Sequence, residues 1–165
     1  MSEIERGRYF EDFKVGDVYQ HANGRTLSEP DNTWFTLLTC NTNEIHFNTD
    51  YAAQTEFKRP LMNSCLTLAV ATGLSVDDLS RNLVANLAWD KVTLPAPVFA
   101  GDTIYAESEV LETRESKSRP GQGIVRVRTR GFNQDGTVVI QFERSLLVHS
   151  RATAPKRGRP TPRSG

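Results

Sequence analysis

Six consecutive residues, Asn41, Thr42, Asn43, Glu44, Ile45 and His46, place two carboxamides, a carboxylate and an imidazole in one short loop. An imidazole with a pKa of about 6.5 can give or take a proton near neutral pH. Carboxamides can hold a water or a substrate but cannot act as bases. Soon after comes Met62-Asn63-Ser64-Cys65, followed by the apolar run Leu66-Thr67-Leu68-Ala69-Val70-Ala71-Thr72. A helix opening there has unpaired N–H groups and the positive end of a dipole in its first turn. Set against a carbonyl, that terminus stabilises developing negative charge. A proton-transfer group facing such a helix end suits adding water to, or removing it from, an α,β-unsaturated thioester.

Each residue also has a plainer reading. A lone loop histidine usually bonds to backbone, but its setting between the asparagines and the helix entrance favours His46 as the acid–base group. Asn41 and Asn43 close loops through Asx turns as readily as they bind water. Asn41 is read as a site residue and Asn43 chiefly as a loop former that also borders substrate. Glu44 is expected to be solvated or paired with Lys58 or Arg59. Ser64 matters through its backbone N–H, with the Cys65 amide beside it. Cys40 or Cys65 as a nucleophile is disfavoured, since buried cysteines mostly pack. No Gly-x-Ser-x-Gly elbow is present. Lys117 and Arg119, in a loop rich in Gly, Pro and Ser, are candidates for binding phosphates. The alternating Arg126, Arg128 and Arg130 are better explained by pairing with Glu143, Glu107 and Glu109 on neighbouring strands.

The elements that must position these groups follow from periodicity. Residues 26–40 predict a helix with Ser28 or Thr26 as cap, Pro30 early, and Trp34, Leu37 and Leu38 as one buried stripe. Asn48 or Thr49 would cap a short helix over residues 50–54. The apolar helix is expected to be buried on nearly every side, with Gly73 near its end. Residues 10–19 predict a lead-in strand seated by Phe10, Phe13, Val15 and Val18, and residues 76–80 a short helical turn. Four strands are expected at about residues 84–92, 103–113, 124–131 and 138–149. The last should present Val138, Ile140, Phe142, Leu146 and Val148 on one face. Asp135-Gly136 is the strongest hairpin signal. An antiparallel sheet with a polar outer face and one apolar helix implies an α+β domain whose sheet wraps that helix.

Composition sets the outer bounds. The chain has 165 residues, one domain's worth, with 20 basic and 20 acidic side chains. The stretch 151–165 holds five of the basic residues and no acid, so the body carries 15 basic against 20 acidic residues. An acidic body argues against a nucleic-acid partner. The expected division is a loose start over residues 1–9, a domain over 10–150 and a disordered basic tail over 151–165. Only two cysteines are present, in no paired motif, which favours a reducing compartment and no structural metal. The N-terminus shows no apolar signal segment and no run approaches a membrane span, so a cytoplasmic protein is expected.

Three segments together resemble the MaoC-like hydratases of the hot-dog fold. They are the loop ending at His46 with Tyr51-Ala52-Ala53 beyond it, the helix opening at Leu61-Met62-Asn63-Ser64, and Pro97-Val98-Phe99-Ala100-Gly101-Asp102-Thr103. The resemblance spans roughly residues 8–150. It implies a sheet around a central helix, a homodimer, and reversible addition of water to a trans-2-enoyl-CoA, with coenzyme A as part of the substrate and no other cofactor. It further implies that the Ser64 N–H polarises the thioester oxygen and that Thr72 supplies a substrate-fixing hydroxyl. Family members pair the histidine with an Asp five positions earlier; here that position is Asn41. The wording of residues 39–47 is similar to a subgroup acting on branched or dicarboxylic thioesters such as itaconyl-CoA or mesaconyl-CoA. The missing Asp keeps open a non-catalytic acyl-CoA-binding subunit, and the fold a thioesterase.

Overall fold

The computed structural model describes residues 7–156. Local chemistry sets the helices. Ser28 caps α1 (Glu29–Leu38): its hydroxyl accepts the Asp31 N–H, and the Asp31 carboxylate accepts the Ser28 N–H at 2.8 Å. Asn48 caps the short α2 (Thr49–Ala53) by accepting the Tyr51 N–H at 3.1 Å. Asn63 caps α3 (Ser64–Leu74), accepting the Cys65 N–H at 2.9 Å. A π-type turn, Val76–Ser80, follows.

The strands are β1 (Val18–Gln20), β2 (Arg25–Thr26), β3 (Leu83–Thr93), β4 (Thr103–Glu115), β5 (Gln122–Phe132) and β6 (Val138–His149). They form an antiparallel sheet in the order β1-β4-β5-β6-β3, with β2 also on β4. The β5–β6 hairpin turns at Asp135-Gly136, where Gly136 takes φ 78° and its N–H donates to Asn133 O. The sheet lies against α3, and Leu66 and Ala71 of the helix meet Ile104, Ile140 and Phe142. Gly131 permits this approach: a Cβ there would sit 2.7 Å from Ile140 Cγ2 and 3.4 Å from Ala71 Cβ. The α+β architecture is therefore the expected one, a sheet around a central helix.

The outer arginines pair as anticipated. Arg126 meets Glu143 at 2.6 Å, Arg128 meets Glu109 at 3.2 Å and Arg130 meets Glu107 at 2.5 Å. Lys91 adds a 3.1 Å contact to Glu143. Burial penalises the Glu143 charge, yet the Lys91 hydrogen bond and the two guanidinium groups outweigh it and hold the carboxyl below its usual range.

Several expectations are corrected. Trp34, Leu37 and Leu38 do not form the buried face of α1; they are 66, 68 and 78% exposed, and Asn32 and Thr36 are buried instead. A face of α3 is also open, at Cys65, Ala69 and Gly73. Val15 and Val18 are exposed, and residues 10–12 form a 3-10 turn rather than strand. The start of the predicted loose tail is tied down: Arg151 meets Asp12 at 2.8 Å and Thr153 bonds to Gly121. Arg8, within the predicted loose start, meets Asp78 at 2.7 Å. Residues 1–6 and 157–165 lie outside the described residues.

Candidate active site

The site is assembled by a buried asparagine that periodicity did not single out. Asn32 Nδ2 donates to His46 O at 2.6 Å and to Leu61 O at 3.0 Å, while its Oδ1 accepts the Asn63 N–H at 2.9 Å. One carboxamide thus joins α1, the histidine loop and the entry to α3. The loop itself is folded by its own asparagines. Cys40 ends α1 at φ 55°, Asn41 Oδ1 accepts the Asn43 N–H at 3.0 Å, and Asn43 Oδ1 accepts the Ile45 N–H at 3.2 Å. Both residues therefore make Asx turns. Asn41 borders a separate shallow cleft with Thr36, Leu37 and Phe47, and its oxygen is already engaged. Asn43 is exposed and caps the 3-10 turn Glu44–His46.

His46 is fixed at one nitrogen. Nδ1 lies 2.8 Å from the Leu61 carbonyl oxygen. A carbonyl only accepts, so Nδ1 carries the proton and Nε2 of the neutral ring keeps its lone pair. The ring borders a cleft with Glu29, Thr33, Arg59, Met62 and Ala100. Arg59 spans the face of Phe99, its guanidinium carbon 3.8 Å from the ring centre. Glu29, not Glu44, is the carboxylate that shares this cleft. Glu44 accepts the Asn48 side-chain amide at 2.9 Å. The sequence marked neither Glu29 nor Arg59 as a site residue, because both reach the cleft only through tertiary folding.

At the start of α3 the two candidate amides differ. The Cys65 N–H is taken by the Asn63 cap, and the Cys65 side chain lines a cleft with Thr72. The Ser64 N–H donates to no protein acceptor among the described residues. Ser64 opens onto a cleft with Phe57, Met62, Thr67, Leu94 and Val98, and Met62 is common to this cleft and the His46 cleft. Thr72 lies further along α3 in a third cleft with Ala69, Gly73, Asn86 and Trp89, and its buried hydroxyl has no hydrogen-bond partner. Lys117 and Arg119 are not brought to the site. They follow the far end of β4, a strand of 13 residues whose other end adjoins Ala100. At ~3.3 Å per residue that strand is roughly 40 Å long.

A second histidine forms a Ser-His-Asp line without access to substrate. His21 Nδ1 meets Asp78 Oδ2 at 2.8 Å and Nε2 meets Ser108 Oγ at 2.9 Å. The His21 side chain is fully buried and Ser108 is 1% exposed. This network ties the lead-in to the sheet. Burial opposes the Asp78 charge, but hydrogen bonds from His21 and Arg8 win and hold its carboxyl low.

The family model described as mesaconyl-CoA hydratase matches residues 1–162. The chain belongs to the mesaconyl-CoA hydratase family. Mesaconyl-CoA hydratase of Cereibacter sphaeroides is 34% identical over 94% of the chain, which covers 45% of that protein. A MaoC domain protein dehydratase from Chloroflexus aurantiacus superposes with TM-score 0.85 at 30% identity, over 99% of the chain and 46% of that structure. A Mycobacterium tuberculosis protein described as having a double hot-dog fold superposes with TM-score 0.80 at 26% identity, over 90% of the chain and 46% of its own. The chain thus spans about half the length of each of these relatives, and its fold is the hot-dog fold. Among the described residues no helix is long and apolar enough to cross a membrane.

Proposed function

We propose that the chain is an acyl-CoA hydro-lyase that adds water to a trans-2-enoyl-CoA, mesaconyl-CoA among its candidates, or removes it in reverse. The tautomer of His46 carries the reading: Nδ1–H is committed to Leu61 O at 2.8 Å, leaving Nε2 as a base beside the entry to α3. In the hydration direction Nε2 takes a proton from water as the oxygen bonds to Cβ. The Cα=Cβ electron pair becomes a bond between Cα and the thioester carbon while the carbonyl π pair moves onto the thioester oxygen, where the Ser64 N–H and the helix dipole stabilise the enolate. The protonated imidazole then returns its proton to Cα. This sequence balances without a redox group or metal. Asn41 shapes the loop in this scheme rather than activating water. The free Cys40 and Cys65 thiols support a reducing, cytoplasmic setting.

Relatives of twice the length, and an open face on α1 and α3, support pairing of two copies into a homodimer that completes the clefts. The test follows loss of the conjugated thioester absorbance with crotonyl-CoA and mesaconyl-CoA. His46→Gln should lower kcat by about 10²–10⁴-fold with the melting temperature kept. Full activity in that variant sinks the proposal. The lack of a carboxylate at Asn41 favours one rival, a non-catalytic acyl-CoA-binding subunit. It predicts binding without turnover in the wild type and gain of turnover in Asn41→Asp. Release of free thiol instead of hydration would identify a thioesterase.

A further inference from the structure

Glu29 is a carboxylate that the fold itself does not use. It is the first residue of α1, yet Ser28 and Asp31 make the cap of that helix, and Arg25 pairs with Asp31 at 2.8 Å. Among the described residues Glu29 makes no hydrogen bond and no ion pair. Arg59, which borders the same cleft, lies instead on the face of Phe99. An acid at a helix start is common and by itself means little. Its place beside the histidine gives it a use.

The packing of α1 brings Glu29 to His46. Leu61 O accepts both the His46 Nδ1–H at 2.8 Å and the Asn32 Nδ2–H at 3.0 Å, so those two nitrogens lie within about 6 Å of each other. The imidazole therefore rests against the face of α1 that carries Asn32. Glu29 precedes Asn32 by three residues, and residues three apart on a helix are neighbours on one face, about 5–6 Å between Cβ atoms. Glu29 and His46 accordingly line one cleft. Its volume is about 210 Å³, room for a water of ~30 Å³ and the reacting end of an acyl group. The imidazole offers the free lone pair of Nε2, and a carboxylate accepts hydrogen bonds without donating any. A water that donates to two acceptors holds them roughly 4–5 Å apart.

We infer that Glu29 positions the attacking water together with His46. The inference rests on the hydro-lyase reading and adds a second residue to its water site. One O–H of the water points to Nε2 and the other to the Glu29 carboxylate, which turns an oxygen lone pair toward Cβ. That lone pair forms the C–O bond. The first proton passes to Nε2 and then to Cα. The second stays on the oxygen, hydrogen-bonded to Glu29, as the product hydroxyl. Glu29 takes no proton in this step; it fixes direction.

The test uses Glu29→Ala, which removes the acceptor from an exposed position, with crotonyl-CoA and mesaconyl-CoA as probes. Its kcat should fall by about 100-fold, with KM and the melting temperature little changed. The double variant Glu29→Ala/His46→Gln should be no slower than His46→Gln alone, because two groups holding one water act as a unit. Wild-type kcat in Glu29→Ala would overturn the inference. So would losses that multiply in the double variant, or a kcat loss matched by a lower melting temperature, since either makes Glu29 a support for α1. The failure of the underlying reading looks different. A wild-type chain that hydrates neither thioester, or a fully active His46→Gln, rejects the hydro-lyase scheme and this role with it. An active wild type, a slow His46→Gln and an unimpaired Glu29→Ala reject Glu29 alone.

Discussion

At the scale of single residues, Asn32 matters as much as the histidine it supports. Its side chain satisfies two backbone carbonyls and one backbone N–H in a site that is 2% exposed. Asn32→Leu would strand those groups, so a loss of about 1–3 kcal/mol is expected in denaturant melts. Turnover should fall further than stability explains, because the His46 loop is no longer registered against α3. Asn32→Asp tests the chemistry: it keeps the acceptor for Asn63 N–H but sets a carboxylate against two carbonyl oxygens, and it should be worse than a simple loss of packing. If Asn32→Leu retains wild-type kcat, the clamp is irrelevant to catalysis. The sequence marked His46 as a candidate through its residue type and neighbours. It hid Asn32, whose value lies in three backbone partners far along the chain.

At the scale of elements, the β5–β6 hairpin was legible and α1 was not. Alternation and Asp135-Gly136 located the hairpin, and the register places Arg128 opposite Glu143 as read. In β6 the same alternation passes through Arg144, between Phe142 and Leu146, and its inward position could have been found from period alone. The hairpin's acid–base pairs give a pH prediction. The folded Glu143 carboxyl titrates below its usual 4.5. Its contribution is therefore complete above about pH 4.5 and is lost as pH falls through the lower folded value. Thermal melts should show wild-type stability dropping steeply in that acid window. Glu143→Gln should be less stable by about 1–3 kcal/mol near neutrality, yet show a shallower acid decline. An unchanged acid decline would mean other carboxylates carry it, Asp78 first.

At the scale of the whole molecule, the open apolar surfaces need an account. Trp34, Leu37 and Leu38 on α1 and Leu87 and Trp89 on the edge strand β3 are all substantially exposed. Exposed apolar residues of this kind are where a second copy would dock in the proposed homodimer. If the proposed homodimer forms through this face, Leu37→Glu combined with Leu38→Lys should convert it to a monomer by light scattering and lower activity, while far-UV circular dichroism stays unchanged. A wild-type chain that is monomeric and fully active would refute this. The failed expectation for α1 has the same origin. A helix with a wide apolar stripe must bury it, but periodicity does not say against what. Here the stripe faces out, and polar Asn32 and Thr36 face in.

Sequence alone determined an antiparallel sheet around one apolar helix, the caps of α1 and α2, and the β5–β6 hairpin. Those are set by local periodicity, by capping chemistry and by turn residues. Tertiary structure decided which histidine nitrogen is free, which helix-start amide is unoccupied, and that Lys117 and Arg119 lie far along β4 from His46. It also buried Arg144 with a single hydrogen bond, to Ser75. Each of these is a relation between distant segments, fixed only when the chain closes on itself and buried donors are set against acceptors.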